Sequence, residues 1–350
     1  MSLFWSHAAG PSLYDYLNFT DHGGHFMRLT RAPKPEVWTD GTVVIREPFV
    51  LTKANAAEIA DFWNHNYTDS DWRMDASKEW IESLFDHMHL ALGVITTSGR
   101  LIGTIFSRKI GGNLVGKSLG TTLTNDRIFM IEGLCINQQY RNKHLAGWLI
   151  SWMDYITSEH GPVAHLYSRE LDSYPYLSSA IDVETYGYVE TSKIKTIQTI
   201  PISLVEKEIF KTKWLEFLNP VRVSLQNNIS IDTGMIDSND MMCFASWGRE
   251  DGLVLITNTH RKTTKNQTIY EVVFCTGKQT ELLLNSVCYE LEKIGKGGVL
   301  FGTNGAYHGA LHSGFSEPWR FGTSGYHATY FYNYLPNTRK MEFILTRNSV

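Results

Sequence analysis

Apolar positions recur along the chain with two rhythms, and the switches between them mark out the elements of its first half. Spacings of three and four residues predict amphipathic helices over about Ala54 to Asn64 and about Ser77 to His87. The rhythm then shortens to alternation. Ala91 to Thr97 and Leu101 to Arg108, separated by Ser98-Gly99, predict an antiparallel hairpin. Gly111 to Asn125, rich in Gly and Asn, reads as a loop or a ragged pair of short strands, and Arg127 to Ile136 as a strand. Leu145, Trp148, Leu149, Trp152, Met153 and Ile156 return to helical spacing on one face; Gly161-Pro162 ends that helix, and Val163 to Ser168 follows as a strand. From about Pro201 the pattern repeats more weakly, with strands at Leu253 to Thr257 and Ile269 to Cys275, a helix from Thr280 to Ile294 stopped by Gly295, and a short strand at Val299 to Gly302. The aromatic-rich end closes in Glu342-Phe343-Ile344-Leu345.

The junction from Met130 to Ala146 carries the chemistry: an apolar strand, a tight basic loop and the first turn of a helix. A helix start leaves backbone N–H groups without partners and carries partial positive charge, so a phosphate placed there meets backbone and dipole together. Arg141, Lys143 and His144 add side-chain donors at that place. On an ordinary connection these would be solvated charges, and their position between strand and helix is what favours the anion site.

Composition narrows the function classes. The 350 residues exceed what one core usually serves and predict two domains or two fused halves. With 43% hydrophobic, 13% aromatic and 19% charged residues, the chain can fill a large interior and is not compositionally disordered. A formal charge of -4 removes any composition argument for nucleic acid. Cys135, Cys243, Cys275 and Cys288 lie far apart without metal-ligand spacing, so buried thiols in a reducing compartment are expected, Cys135 being a packing residue and not a nucleophile. No apolar run reaches the roughly 18 residues of a membrane span and no secretory pattern opens the chain, so a soluble, cytoplasmic protein is expected. The start Met1-Ser2 lacks the glycine of a myristoylation target. His308 and His312 are four apart, but Gly305, Gly309 and Gly314 argue against a rigid metal pair; these histidines, with His87 and His89, read as surface or loop residues, and no metal is expected.

Arg141, two residues, His144, Leu145, Ala146 resembles the acyl-CoA pyrophosphate loop of the GNAT acyltransferase superfamily, whose pattern is Arg or Gln, two residues, Gly, one residue, then Gly or Ala. His144 stands where glycine would allow close approach of backbone to phosphate. The longer stretch I-E-G-L-C-I-N-Q-Q-Y-R-N-K-H-L-A from Ile131 is similar, without a gap, to a segment of N-myristoyltransferases of the form I-N-F-L-C-V-H-K-K-L-R-S-K-R-L-A. Three further stretches resemble that family in the same order. Leu3-Phe4-Trp5-Ser6 looks like its aromatic segment that folds over the CoA. Asn64 to Asp75 looks like its Asn-Tyr-Val-Glu-Asp loop running into Phe-Arg-Phe-Asp. Arg320 to Tyr326 looks like its Lys-Phe-Gly-x-Gly-Asp-Gly turn, and Tyr330 to Tyr334 like the aromatic strand after it.

The resemblance implies an α/β (α+β) fold of two GNAT-like halves, each a mixed, strongly twisted sheet flanked by helices. Residues 1–195 would bind acyl-CoA and residues 196–350 would serve the peptide side. Neighbouring strands would splay to admit the pantetheine arm. Myristoyl-CoA would be held by Phe4, Trp5, Leu134, Cys135, Ile136, Arg141, Asn142, Lys143, His144, Leu145 and Ala146. The peptide would meet Tyr67, Asp69, Asp71, Trp72, Arg73, Met74, Tyr167 and Gly322. Asp69, Asp71 and Asp75 would attract basic residues of a substrate, or else form a solvated turn. Tyr174, Tyr176 and Tyr330 to Tyr334 read as packing residues.

Acyl transfer to an amine needs an oxyanion stabiliser and a base. The family's paired backbone amides fall on Gly133 and Leu134, where glycine lowers the cost of a strand bulge; otherwise Gly133 marks plain close packing. The family's base is its terminal carboxylate, and this chain runs about four residues past that point, with Arg347-Asn348-Ser349-Val350 following Thr346. Either the Val350 carboxylate still enters the site or Glu132, standing where the family has Asn, replaces it with Ser168 helping to hold the amine. The competing reading pairs Glu132 with a nearby Arg or Lys as a structural ion pair. The expected function is transfer of a long-chain acyl group from acyl-CoA to the amino-terminal glycine of a peptide or protein by a monomer. The alternatives are an acyltransferase of changed acceptor or chain length, and an inactive acyl-CoA or peptide binder.

Overall fold

The computed structural model describes residues 25–26, 30–68, 70–109, 114–116, 121–123, 127–171, 182–213, 239–246, 252–277, 279–303, 316–332 and 334–335. The chain forms two compact units: Met1–Arg169 with Pro175–Asp182 and Ala328–Met341, and Glu170–Tyr174 with Val183–His327 and Glu342–Val350. The expected cut at residue 195 falls inside the second of these, and a late segment returns to the first.

In the first unit the described strands are β1 (His25–Phe26), β2 (Trp38–Thr39), β3 (Val44–Ile45), β4 (Phe49–Val50), β5 (Trp72–Met74), β6 (Leu90–Ile95), β7 (Leu101–Lys109), β8 (Leu114–Gly116), β9 (Thr121–Leu123), β10 (Ile128–Ile136) and β11 (Ala164–Leu171). The helices are α1 (Ala56–Asn66), α2 (Lys78–Leu84) and α3 (Leu145–Thr157). The sheet runs β11-β10-β7-β6-β4, antiparallel except for β10 and β11, which α3 joins as a parallel crossover. β8 and β9 are the ragged pair expected in the glycine-rich stretch.

Leu145, Leu149, Trp152 and Met153 of α3 are buried with Ile105, Ile131 and Ile136 on one face of this sheet. Each such side chain contributes about 1.5–3 kcal/mol. The other face carries α1: Trp63 packs against Phe106 with ring centroids 5.2 Å apart and against Trp80 of α2 at 5.8 Å. Ser77 starts α2 by accepting from the Trp80 amide at 3.1 Å, as its N-cap position requires.

The second unit repeats the plan. Its strands are β12 (Asp182–Glu190), β13 (Ser203–Val205), β14 (Met241–Ser246), β15 (Gly252–Thr263), β16 (Thr268–Gly277), β17 (Gly298–Thr303) and β18 (Arg320–Tyr332) as far as His327, with helix α4 (Thr280–Lys293); β18 from Ala328 and β19 (Tyr334–Leu335), which pairs with β1, belong to the first unit. The order is β13-β14-β15-β16-β17-β12, with β16 and β17 parallel around α4. Leu283, Leu284, Val287, Cys288 and Leu291 of α4 are fully buried against Val254, Ile256 and Val272. A left-handed Gly295 (φ +72°) ends the helix where expected. Arg320 to Tyr326, expected as a turn, lies inside strand β18. No described helix is long and apolar enough to cross a membrane.

Between Glu132 and Cys135 the β7–β10 register slips: Glu132 stands opposite Phe106 and Cys135 opposite Thr104, so Gly133 and Leu134 share the place across from Ile105. Side-chain parity changes with it. Ile131 before the bulge and Leu134 and Ile136 after it all face α3. Gly133 has φ +55°, and a Cβ there would lie 2.8 Å from Cζ2 of Trp63, itself 1% exposed. Both constraints oppose a side chain. Gly133→Ala is expected to cost about 2–4 kcal/mol, from left-handed backbone strain plus overpacking, measured by urea denaturation; a loss under about 0.5 kcal/mol would contradict this reading.

Candidate functional site

The bulge lies on the part of β10 that has no β11 partner among the described residues. The β10–β11 register ends at Met130 opposite Leu166, although β10 continues to Ile136 alongside β7. At the bulge the Gly133 carbonyl accepts from Thr104 Oγ1 at 2.9 Å, and that hydroxyl accepts from Trp63 Nε1 at 2.9 Å. A trans peptide sets N–H opposite C=O, so the Leu134 amide points away from β7, toward the edge that β11 has left.

Next comes the loop. Asn137 is buried and its Oδ1 accepts from the Gln139 amide at 3.0 Å, starting a short 3-10 turn over Gln138–Tyr140. Asn142 (φ +61°) and His144 (φ +62°) are left-handed, and His144 is the N-cap of α3. This backbone is the one glycine would supply; at His144 the chain adopts it with a side chain present. Trp148 is the first residue of α3 whose amide reaches a preceding carbonyl, His144 O at 3.1 Å, so the amides of Leu145, Ala146 and Gly147 have no acceptor within the helix. Alternation of left-handed residues with their neighbours makes such a loop concave toward anions.

The basic side chains are anchored. Arg141 donates from Nε to Ile136 O at 3.2 Å and from Nη2 to Asn66 O, the last carbonyl of α1. It thereby ties the loop to the helix that precedes the Tyr67–Met74 stretch. Lys143 Nζ reaches Asp40 Oδ2 at 2.7 Å, and Lys143 O accepts from Trp38 Nε1 at 2.9 Å. Trp38 and Asp40 belong to the β2–β3 hairpin, which the sequence reading missed although Asp40-Gly41 is a recognised turn pair. The Lys143 ammonium, Thr42 Oγ1 and the Val43 and Thr42 amides hold the Asp40 carboxyl well below the usual carboxylate range.

Glu132, one residue before the bulge, has its side chain 4% exposed and 2.7 Å from Arg108 Nη2. The ion pair raised as the competing reading is therefore present. Glu132 Oε2 has no partner among the described residues. Cys135 is 1% exposed, and burial pushes its thiol up to about 12, which suits packing and not nucleophilic attack.

The remaining expected residues are scattered. Tyr67 caps α1 and its ring lies 5.6 Å from that of Trp72; Trp72, exposed Arg73 and buried Met74 form β5, and Asp71 is exposed just before them. Tyr167 is half-buried beside the α3 cluster, and Ser168 follows it on β11. Gly322 lies on β18 and belongs to the second unit. Phe4, Trp5, Asp69, Tyr174, Tyr176, His308, His312 and Val350 lie outside the described residues. His89 is exposed with its ring 4.9 Å from Phe129, and partial desolvation lowers its pKa. Thr104, Trp63, Arg108, Asn66 and Asp40 were all missed.

Two outcomes are expected at the loop. His144→Val should destabilise by about 1–2 kcal/mol more than His144→Gly, because a β-branched residue resists the left-handed region, as thermal or urea unfolding would measure. The folded-state pKa of Asp40 is depressed, so its pairing adds stability above its unfolded value and that contribution is lost as pH falls through the folded one. Asp40→Asn should therefore lower the melting temperature at pH 7, and the gap from the parent should narrow on acidification below the usual carboxylate range. A gap that widens with acid would contradict the pairing.

No protein-family model matches the chain, and no curated protein matches it in sequence. Its fold is nevertheless similar to solved structures. A crystal structure of Saccharomyces cerevisiae N-myristoyltransferase with bound myristoyl-CoA matches with a TM-score of 0.62 at 13% identity, covering 96% of this chain and 88% of that one. Another, also with bound myristoyl-CoA, gives 0.57 at 14% identity over 95% and 92% of the two chains. A third, with myristoyl-CoA and inhibitors, gives 0.56 at 14% over 95% and 89%. At these identities the likeness is one of fold: the chain is a mixed α/β protein built on the architecture that these N-myristoyltransferases have.

Proposed function

We propose that this protein is an acyl-CoA-dependent N-acyltransferase that moves a long-chain acyl group, myristoyl, from its CoA thioester to the amino-terminal glycine amine of a peptide or protein. The observation that carries the reading is the bulge at Gly133 and Leu134. It directs a strand amide away from β7, immediately before a left-handed loop and the first amides of α3, which have no acceptor within the helix. An oxyanion needs donors fixed before the charge develops, and a backbone amide on a bulge held from behind by Thr104 meets that need. A diphosphate needs several N–H donors at a positive helix end, and Leu145, Ala146 and Gly147 offer them, with Arg141 alongside. Leu134, Cys135 and Ile136 run between these two places on the same strand, which suits the path of a pantetheine arm.

In this reading the acceptor's ammonium gives one proton to a base and its nitrogen attacks the thioester carbon. The C–N bond forms as the C–S bond breaks; the nitrogen's second proton leaves and the thiolate is released, becoming the free thiol of CoA once protonated. Glu132 is the proposed base. A second reading, an acyl-CoA binder without turnover, draws support from the Arg108–Glu132 pair, since a carboxylate already bonded to an arginine can also serve structure alone.

Calorimetry with myristoyl-CoA tests what both readings share, and no binding at concentrations up to about 1 mM would overturn them together. Turnover of a Gly-initiated peptide separates them. For an active enzyme, Glu132→Gln is expected to lower kcat by roughly 10²–10⁴-fold while myristoyl-CoA still binds. A rate equal to the parent's would remove Glu132 from the base role.

A further inference from the structure

Arg108 and Glu132 sit on one face of the β7–β10 pair. Arg108 stands opposite Met130 and Phe106 opposite Glu132, so the two charged side chains meet on the diagonal. Their contact is one-sided. Arg108 directs both Nε, at 3.2 Å, and Nη2, at 2.7 Å, to the same oxygen, Glu132 Oε1. A guanidinium and a carboxylate that pair for strength alone do so as a fork, one N–H to each oxygen. Here Oε2 is left without a partner among the described residues, although the two side chains are only 6% and 4% exposed. A buried ion pair repays its desolvation only when its remaining lone pairs are bonded, so an open carboxylate oxygen at this depth is a cost to the fold.

We propose that Arg108 is a positioning residue for the acyl transfer. By taking Oε1 with both donors it fixes the Glu132 carboxylate one residue before the bulge and leaves Oε2 for the ammonium of the incoming amine. The inference rests on the reading of Glu132 as base and names a residue that reading does not contain. In the step, one proton passes from the acceptor nitrogen to Oε2 and later to solvent. Arg108 keeps its own protons throughout, so the amine's positive charge passes to the pair and rests on Arg108 until the proton leaves Oε2 for solvent. The chemistry selected is that of an acceptor arriving protonated, a primary amine, in preference to an alcohol, which brings no charge to the open oxygen.

The test is steady-state kinetics with myristoyl-CoA and a Gly-initiated peptide on Arg108→Gln, Arg108→Lys, Glu132→Gln and the double variant Arg108→Gln/Glu132→Gln, each checked for myristoyl-CoA binding by calorimetry. Arg108→Gln is expected to lower kcat by roughly 10²-fold with myristoyl-CoA affinity unchanged, the loss typical of a misplaced catalytic group. Arg108→Lys should recover part of that rate, since it keeps the charge and loses the paired donors. The double variant should be no slower than Glu132→Gln alone, because both substitutions remove one function. Parental kcat in a folded Arg108→Gln protein, or losses that multiply in the double variant, would overturn the positioning role. If Arg108→Gln does not fold, Arg108→Lys decides alone: a parental rate overturns the proposal and a partial one supports it. Parental activity of Glu132→Gln would instead overturn the base assignment, so the two failures are distinguishable.

Discussion

A relay of two hydrogen bonds shapes the centre of the first unit: Trp63 Nε1 to Thr104 Oγ1, and Thr104 Oγ1 to the Gly133 carbonyl, each 2.9 Å. It turns one peptide out of the regular ladder and holds it there. A carbonyl removed from a ladder and buried must find another donor, and a hydroxyl fixed by an indole is one that cannot swing away. The same indole occupies the space a side chain at 133 would need, so sterics and hydrogen bonding enforce a single backbone shape. The parity change at the bulge follows, and with it the burial of Leu134 and Ile136 against α3.

The loop after β10 solves a different problem by a related route. Its backbone is held by contacts arriving from distant parts of the chain: Arg141 to the end of α1, Lys143 to Asp40, and Trp38 to the Lys143 carbonyl. Lys143 is half-exposed while the Asp40 side chain is 3% exposed, so the hairpin contributes an ordered anion and the loop a cation that water still reaches. Such a pair adds little stability by itself. Its effect is to fix the loop's position above the helix end, where the unsatisfied amides begin.

Much of the framework was legible in the sequence because hydrophobic period reports burial directly. The strands β10, β11, β16 and β17, the β6–β7 hairpin and helices α3 and α4 come within a few residues of where periodicity puts them. Bulge and loop were legible for a second reason: Gly133 and the basic run are local signals adjacent in sequence. What could not be read were interactions across long separations. Thr104 lies 29 residues from the carbonyl it holds, Trp63 41 residues from Thr104, and Asp40 103 residues from Lys143. Alternation could suggest that Arg108 faces the same way as Phe106, but its diagonal meeting with Glu132 depends on a register no single strand encodes. Strands β12 and β14 were missed because neither alternates cleanly: charged residues interrupt the apolar positions of β12, and Met241 to Ser246 of β14 mixes small and apolar residues without a period.

His144 carries one more implication. A site that requires a torsion angle, and not the absence of a side chain, can be reached by several amino acids at modest cost: glycine freely, asparagine and aspartate cheaply, histidine at a small penalty. Evolution can therefore trade letters at this corner while preserving its curvature, and two proteins can share the corner's geometry with no spelling in common.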